Sequence, residues 1–108
     1  MDTKLPQSIE TYFRAANTHD SQSLADCFTE EAVVHDEGKI YRGLAAIKEW
    51  NETTSKKYAL TLEVISATQE NGETVVTAQA SGNFEGSPAS IDFYFIVTNQ
   101  KITSLRCG

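Results

Sequence analysis

"ASIDFYFIVTNQKITSLRC", residues 89–107, alternates in side-chain character on both sides of Asn99-Gln100. A period of two belongs to β-strands, where successive side chains point to opposite faces. In its first half Ser90, Asp92, Tyr94 and Ile96 share one face, and Ile91, Phe93, Phe95 and Val97 share the other. Both faces are largely apolar, which predicts a strand covered on both sides. The same period runs upstream through "ALTLEVISATQ" (59–69) and "ETVVTAQASGNF" (73–84). Asn71-Gly72 joins those two segments, and Asn-Gly suits a tight hairpin because both residues tolerate positive φ. Residues from about 59 onward therefore read as four antiparallel strands, with further turns at 85–88 and 99–100. Gly82, within a long strand pattern, marks a bulge or a bend.

Before residue 59 the period is helical. Ile9, Tyr12, Phe13 and Ala16 recur at i, i+3, i+4 and i+7, which predicts an amphipathic helix over 6–18 with Pro6 in its first turn. A second helix is expected over 21–28, capped by Asp20 or Ser21 and carrying Leu24, Cys27 and Phe28 inward. A third, over 44–56, presents Leu44, Ile47 and Trp50 on one face. Between them, "EEAVVHDEGKIYRG" (30–43) supplies a strand at 32–35, a turn at Gly38 and a short returning strand at Ile40-Tyr41. Helices followed by a long meander indicate an α+β fold. Three N-terminal helices packed in a strongly bent, mostly antiparallel sheet would make a cone-shaped α+β barrel.

The chain of 108 residues suits one domain, 1–108, with one core. Nine basic against fifteen acidic residues give a net charge of −6. Such a surface repels nucleic acid, and Lys56-Lys57 is too small a basic patch to reverse that. No stretch approaches the roughly 20 apolar residues of a membrane span. The opening residues lack a signal-peptide pattern, so a cytoplasmic protein is expected. Cys27 and Cys107 fit no zinc or redox spacing, and neither a metal nor another cofactor is expected.

Asp92 stands out, a carboxylate among aromatic and aliphatic neighbours with no evident cation beside it. Such a group is protonated by burial or held by a hydroxyl or amide. Ala78, Ala80, Gly82 and Phe84 alternate on one face of the preceding strand, and three of the four are small. Facing an aromatic-rich strand they leave room for a cavity, or for a closely packed helix. Tyr12 carries its hydroxyl inward on a helical stripe. Alternation sends His35 and Asp36 to opposite faces; with Asp36 in the cone, His35 and Glu37 stand toward the rim or solvent.

The segment 9–50, with "L..CF.E.AV" followed by a turn and "RG..AI..W", resembles the SnoaL-like polyketide cyclase family, within the nuclear transport factor 2-like superfamily. The meander with "SIDFYFIVTNQKITSLR" follows the same plan, so the resemblance covers nearly the whole chain. It implies a cone with a deep pocket between sheet and helices, and a homodimer. The placement of three residues is also similar to the ketosteroid isomerases. By that resemblance Asp36 is the base that moves a proton, and Tyr12 and Asp92 form the oxyanion hole. The pocket would be lined by Trp50, Ala78, Ala80, Gly82, Phe84, Ser90, Tyr94 and Leu105, and would take a small apolar or polycyclic molecule. Departures are visible: Glu37-Gly38 follows Asp36 where the isomerases carry proline, and small residues stand at 78, 80 and 82. The implied activity is an isomerase or cyclase working through enolate chemistry. The rival reading is a non-catalytic ligand-binding or dimerisation domain on the same fold. An apolar outer sheet face is expected to join the dimer, through Ile91, Phe93 or Phe95.

Overall fold

Each of the three helices appears where the apolar spacing puts it. In the computed structural model, which describes residues 5–108, they are α1 (Gln7–Asn17), α2 (Ser21–Ala25) and α3 (Leu44–Tyr58). Asp20 caps α2, accepting from the Ser23 backbone N–H at 3.1 Å and from the Ser23 hydroxyl at 2.8 Å. α3 ends at Ala59, whose φ of 50° is left-handed and breaks the helical repeat.

The strands are β1 (Phe28–Asp36), β2 (Lys39–Arg42), β3 (Thr61–Glu70), β4 (Glu73–Ser81), β5 (Ala89–Thr98) and β6 (Lys101–Cys107). They form one sheet in the order β2-β1-β6-β5-β4-β3. Strands β3 to β6 are the expected antiparallel meander, with a tight turn at Asn71-Gly72. β1 is the exception to antiparallel pairing, because it lies parallel to β6. The sheet is mixed and not closed, and with three helices it makes an α+β cone.

Two boundaries differ from the sequence reading. β1 begins at Phe28 rather than Ala32, and α2 stops before Cys27. The cause is distant in sequence: Phe28 pairs with Ile102, and the Ile102 N–H donates to the Cys27 carbonyl at 2.8 Å. Gly82 is the other departure. It follows β4 where the Tyr58 carbonyl packs directly on it, and a side chain there would strike that backbone oxygen. Its neighbour Asn83 donates its N–H to the same carbonyl at 2.6 Å, so the β4–β5 loop is tied to the end of α3.

The helices pack on one face of the sheet. Phe93, Phe95, Leu105, Val34, Val76, Ala78 and Ala80 point inward and are buried against Ile9, Tyr12, Phe13 and Ile47. Tyr12 meets Phe13, Phe93 and Phe95 edge-on, with ring centroids 5.1, 6.4 and 5.3 Å apart. Two expectations are corrected by this orientation. β5 is not covered on both sides, since Ile96 on its outer face is 38% exposed. Phe93 and Phe95 belong to the core and are closed to any partner, and Ile91 faces the same side.

Candidate functional site

Between the sheet and the helices lies an open cavity of about 560 Å³. Its walls come from α1 (Tyr12, Ala16), from α3 (Trp50, Asn51, Thr54, Ser55, Tyr58), from Leu60 and Leu62, and from the sheet end with Asp36, Phe93 and Cys107. Glu37, Phe84, Ser90, Ile91 and Gly108 complete it.

Strand register explains why these sheet residues meet. Val34 pairs with Leu105 and His35 with Arg106 along the parallel β1–β6 ladder. One step further along it brings Asp36 beside Cys107, which is opposite Phe93 on β5. All three face inward, whereas His35 goes outward with Arg106.

Asp36 is half-buried, and the Trp50 indole N–H donates to its Oδ2 at 3.0 Å. Burial raises the Asp36 pKa above the ordinary carboxylate value. The Trp50 hydrogen bond opposes that rise, the Glu37 charge adds to it, and the Glu37 backbone N–H lowers it. Tyr12 is only 2% exposed, and its hydroxyl makes no hydrogen bond among the described residues. Its pKa is pushed well above 10, first by burial and then by nearby Cys107, Asp36 and Cys27. The Cys107 thiol is raised too, by burial first and then by Asp36, so it stays protonated. A buried phenol donor and a carboxylate with an elevated pKa thus share one mostly apolar cavity.

The sequence-derived site divides in two. Asp36, Tyr12, Trp50, Phe84 and Ser90 border the cavity. Asp92 does not. It pairs with Thr77 on the outer face of the sheet, where the Thr77 hydroxyl donates to its Oδ1 at 2.8 Å. The carboxylate is satisfied by a hydroxyl, one of the two arrangements expected, and its neighbours Phe93 and Ile91 take the inner positions. Tyr94 is outward for the same reason, with the Arg106 guanidinium 4.0 Å from its ring centroid. Ala78, Ala80 and Leu105 face inward but are closed off by core packing, and Gly82 lies under α3.

Other lining residues were not picked out from sequence. Asn51, Thr54 and Tyr58 continue the α3 stripe of Ile47 and Trp50 at helical spacing, a signal that was present. Cys107 shares the inward alternation of Leu105. Leu60, Leu62 and Glu37 carry no comparable signal.

The pattern of the SnoaL-like domain family matches residues 9–104. The chain belongs to that family. Among solved structures, it is similar to a candidate polyketide cyclase from Sinorhizobium meliloti at 31% identity, with a TM-score of 0.92 over 96% of this chain and 95% of that one. A Catenulispora acidiphila protein with a ketosteroid isomerase-like fold, solved with trimethylamine, shares 16% identity and a TM-score of 0.84 over 97% and 86% of the two chains. An NTF2-like protein of unknown function from Cytophaga hutchinsonii shares 15% identity and a TM-score of 0.78 over 100% and 93%. The last two likenesses concern the fold. No curated protein matches the chain.

Proposed function

We propose that this SnoaL-like domain binds a small apolar or polycyclic carbonyl compound in its cavity and acts as an isomerase or cyclase through enolate chemistry. One observation carries the reading: Asp36 and Tyr12 border the same apolar cavity, with the Tyr12 side chain buried. Asp36 is the base. Burial raises its pKa and so strengthens it as a base, and Trp50 holds its carboxylate in place. Tyr12 donates to the oxygen that gains charge as the proton leaves, and burial keeps the phenol protonated for that role. In an isomerisation the proton taken by Asp36 returns to the γ-carbon of a dienolate, which moves the double bond. In a cyclisation the enolate carbon attacks a second carbonyl of the substrate, and the proton goes to the alkoxide oxygen formed there. We also propose a homodimer through the outer sheet face.

A non-catalytic binding domain is the second reading. The position of Asp92 favours it, because a second oxyanion donor is missing from that side of the cavity. Deuterium exchange at the carbon next to a ketone separates the two. With 2-decalone in heavy water, the protein is expected to accelerate exchange. Asp36→Asn should reduce the acceleration by about 100-fold or more, since an amide takes no proton. Tyr12→Phe should reduce it by roughly 10-fold to 100-fold. Binding of the ketone without accelerated exchange would establish the non-catalytic reading.

A further inference from the structure

The ionisable groups bordering the cavity are all acids: the carboxylates of Asp36 and Glu37, the phenols of Tyr12 and Tyr58, and the Cys107 thiol. Among the described residues no lysine, arginine or histidine borders it. Lys57 stands over the Tyr58 ring, 5.0 Å from its centroid, and is not part of the lining.

Glu37 has a specific place among these groups. It turns the chain between β1 and β2 with φ of 52°, and its exposed side chain stands at the cavity mouth. Its Oε1 accepts from the Tyr58 hydroxyl at 3.2 Å, so the last residue of α3 holds it there. Phe84 packs edge-on against the same Tyr58 ring, with centroids 6.1 Å apart. Glu37, Tyr58 and Phe84 therefore frame the entrance. Inside, Tyr12 lines the cavity, where its hydroxyl can donate to an acceptor on a ligand.

We propose that Glu37 is a specificity-determining residue: with Asp36 it makes the cavity accept neutral and cationic apolar molecules and refuse carboxylates and other anions. The proposal rests on the reading of this cavity as a small-molecule site. A carboxylate ligand gains a hydrogen bond from Tyr12, but it must approach two like charges, of which only Glu37 has a cation near it, Lys57 outside the lining. At an effective dielectric of about 20, one such pair about 6 Å apart weakens binding by roughly 100-fold. Water and salt at the mouth reduce the share of Glu37 to about threefold to tenfold. Asp36 relieves its part of the conflict by taking a proton. Glu37, standing in solvent on the entry path, then decides the selection. A neutral ketone or ether satisfies Tyr12 without conflict, and an ammonium head is attracted to the entrance.

Trp50 is the only tryptophan of the chain and borders the cavity, so its fluorescence reports occupancy. Three probes of matched size are titrated near neutral pH: 4-cyclohexylbutan-2-one, 4-cyclohexylbutylamine and 4-cyclohexylbutanoate. The amine and the ketone are expected to bind, and the carboxylate at least tenfold more weakly than the ketone. Glu37→Gln, checked for an unchanged circular dichroism spectrum, should narrow that gap threefold or more, read as the ratio of carboxylate to ketone affinity. Equal affinities for ketone and carboxylate in the unaltered protein would overturn the proposal alone. So would a ratio that Glu37→Gln leaves untouched. No response to any of the three probes would overturn the small-molecule reading beneath it as well.

Discussion

The Asp36 carboxylate sits in a cavity with mainly apolar walls, and the Trp50 indole N–H donates to it. Burial makes the charged form costly, so its folded pKa lies above the unfolded value of about 3.9. Folding therefore favours the protonated acid. The stability linked to that proton is full below the unfolded pKa and is lost as pH rises through the folded one. Asp36→Asn should remove this dependence, leaving the variant at pH 7 at least as stable as the parent while its turnover collapses. Urea melts across pH 4 to 8 check it; an unaltered difference in stability with pH would refute the burial argument. Trp50→Phe tests the opposing force. Without the indole N–H the Asp36 pKa should climb further, seen by carboxyl NMR titration, and a fall would mean that the hydrogen bond does not favour the charged form. Nothing in the sequence joins Trp50 to Asp36. The pair depends on where α3 crosses the end of β1, a tertiary fact that local patterns do not carry.

At the scale of elements, a side chain of α1 hydrogen-bonds the edge strand β3 to the helical layer. Asn17, the last residue of α1, donates from Nδ2 to the Leu62 carbonyl at 2.8 Å and accepts from the Leu62 N–H at 2.7 Å. It satisfies a donor and an acceptor on the side of β3 away from β4, as a further strand would. Asn17→Ala leaves both backbone groups unpaired and should cost about 1–3 kcal/mol, measured by chemical denaturation. A loss within about 0.5 kcal/mol would mean that water replaces the amide fully. Periodicity made the helices and the meander legible, because amphipathic period and turn chemistry are local. The start of β1 was not legible, since Phe28 is drawn into the sheet by Ile102 from the far end of the chain. The face of Asp92 was half legible. Alternation separated Asp92 from Phe93 correctly, but both faces of "SIDFYFIV" are apolar enough to pass for the interior. Only the packing of Tyr12 and Phe13 on Phe93 settles which one is inside.

For the molecule as a whole, the unused surface is the outer face of the sheet. One row crosses all six strands through Ile40, His35, Arg106, Tyr94, Val75 and Thr68. A second carries Arg42, Val33, Ser104 and Ile96. Ile40 is 53% exposed and Ile96 38%, a large share for isoleucines on a sheet. The net charge of −6 drives copies apart at long range, whereas these two rows carry Arg42 and Arg106, with Asp92 and Glu73 beside them on the same face. Arg106 lies 3.7 Å from Glu73 and rests on the Tyr94 ring, so its charge is partly answered within the face. Two copies meeting here bury isoleucine, valine and tyrosine, which is why the proposed homodimer is placed on this face. Ile96→Asp tests the placement, because Ile96 points away from the core and its exchange leaves the inner packing intact. Light scattering at tens of micromolar, roughly the range for a modest interface, should report a dimer for the parent and a monomer for the variant. Circular dichroism should match between them. A dimer that survives Ile96→Asp moves the interface elsewhere, and a monomeric parent removes it altogether.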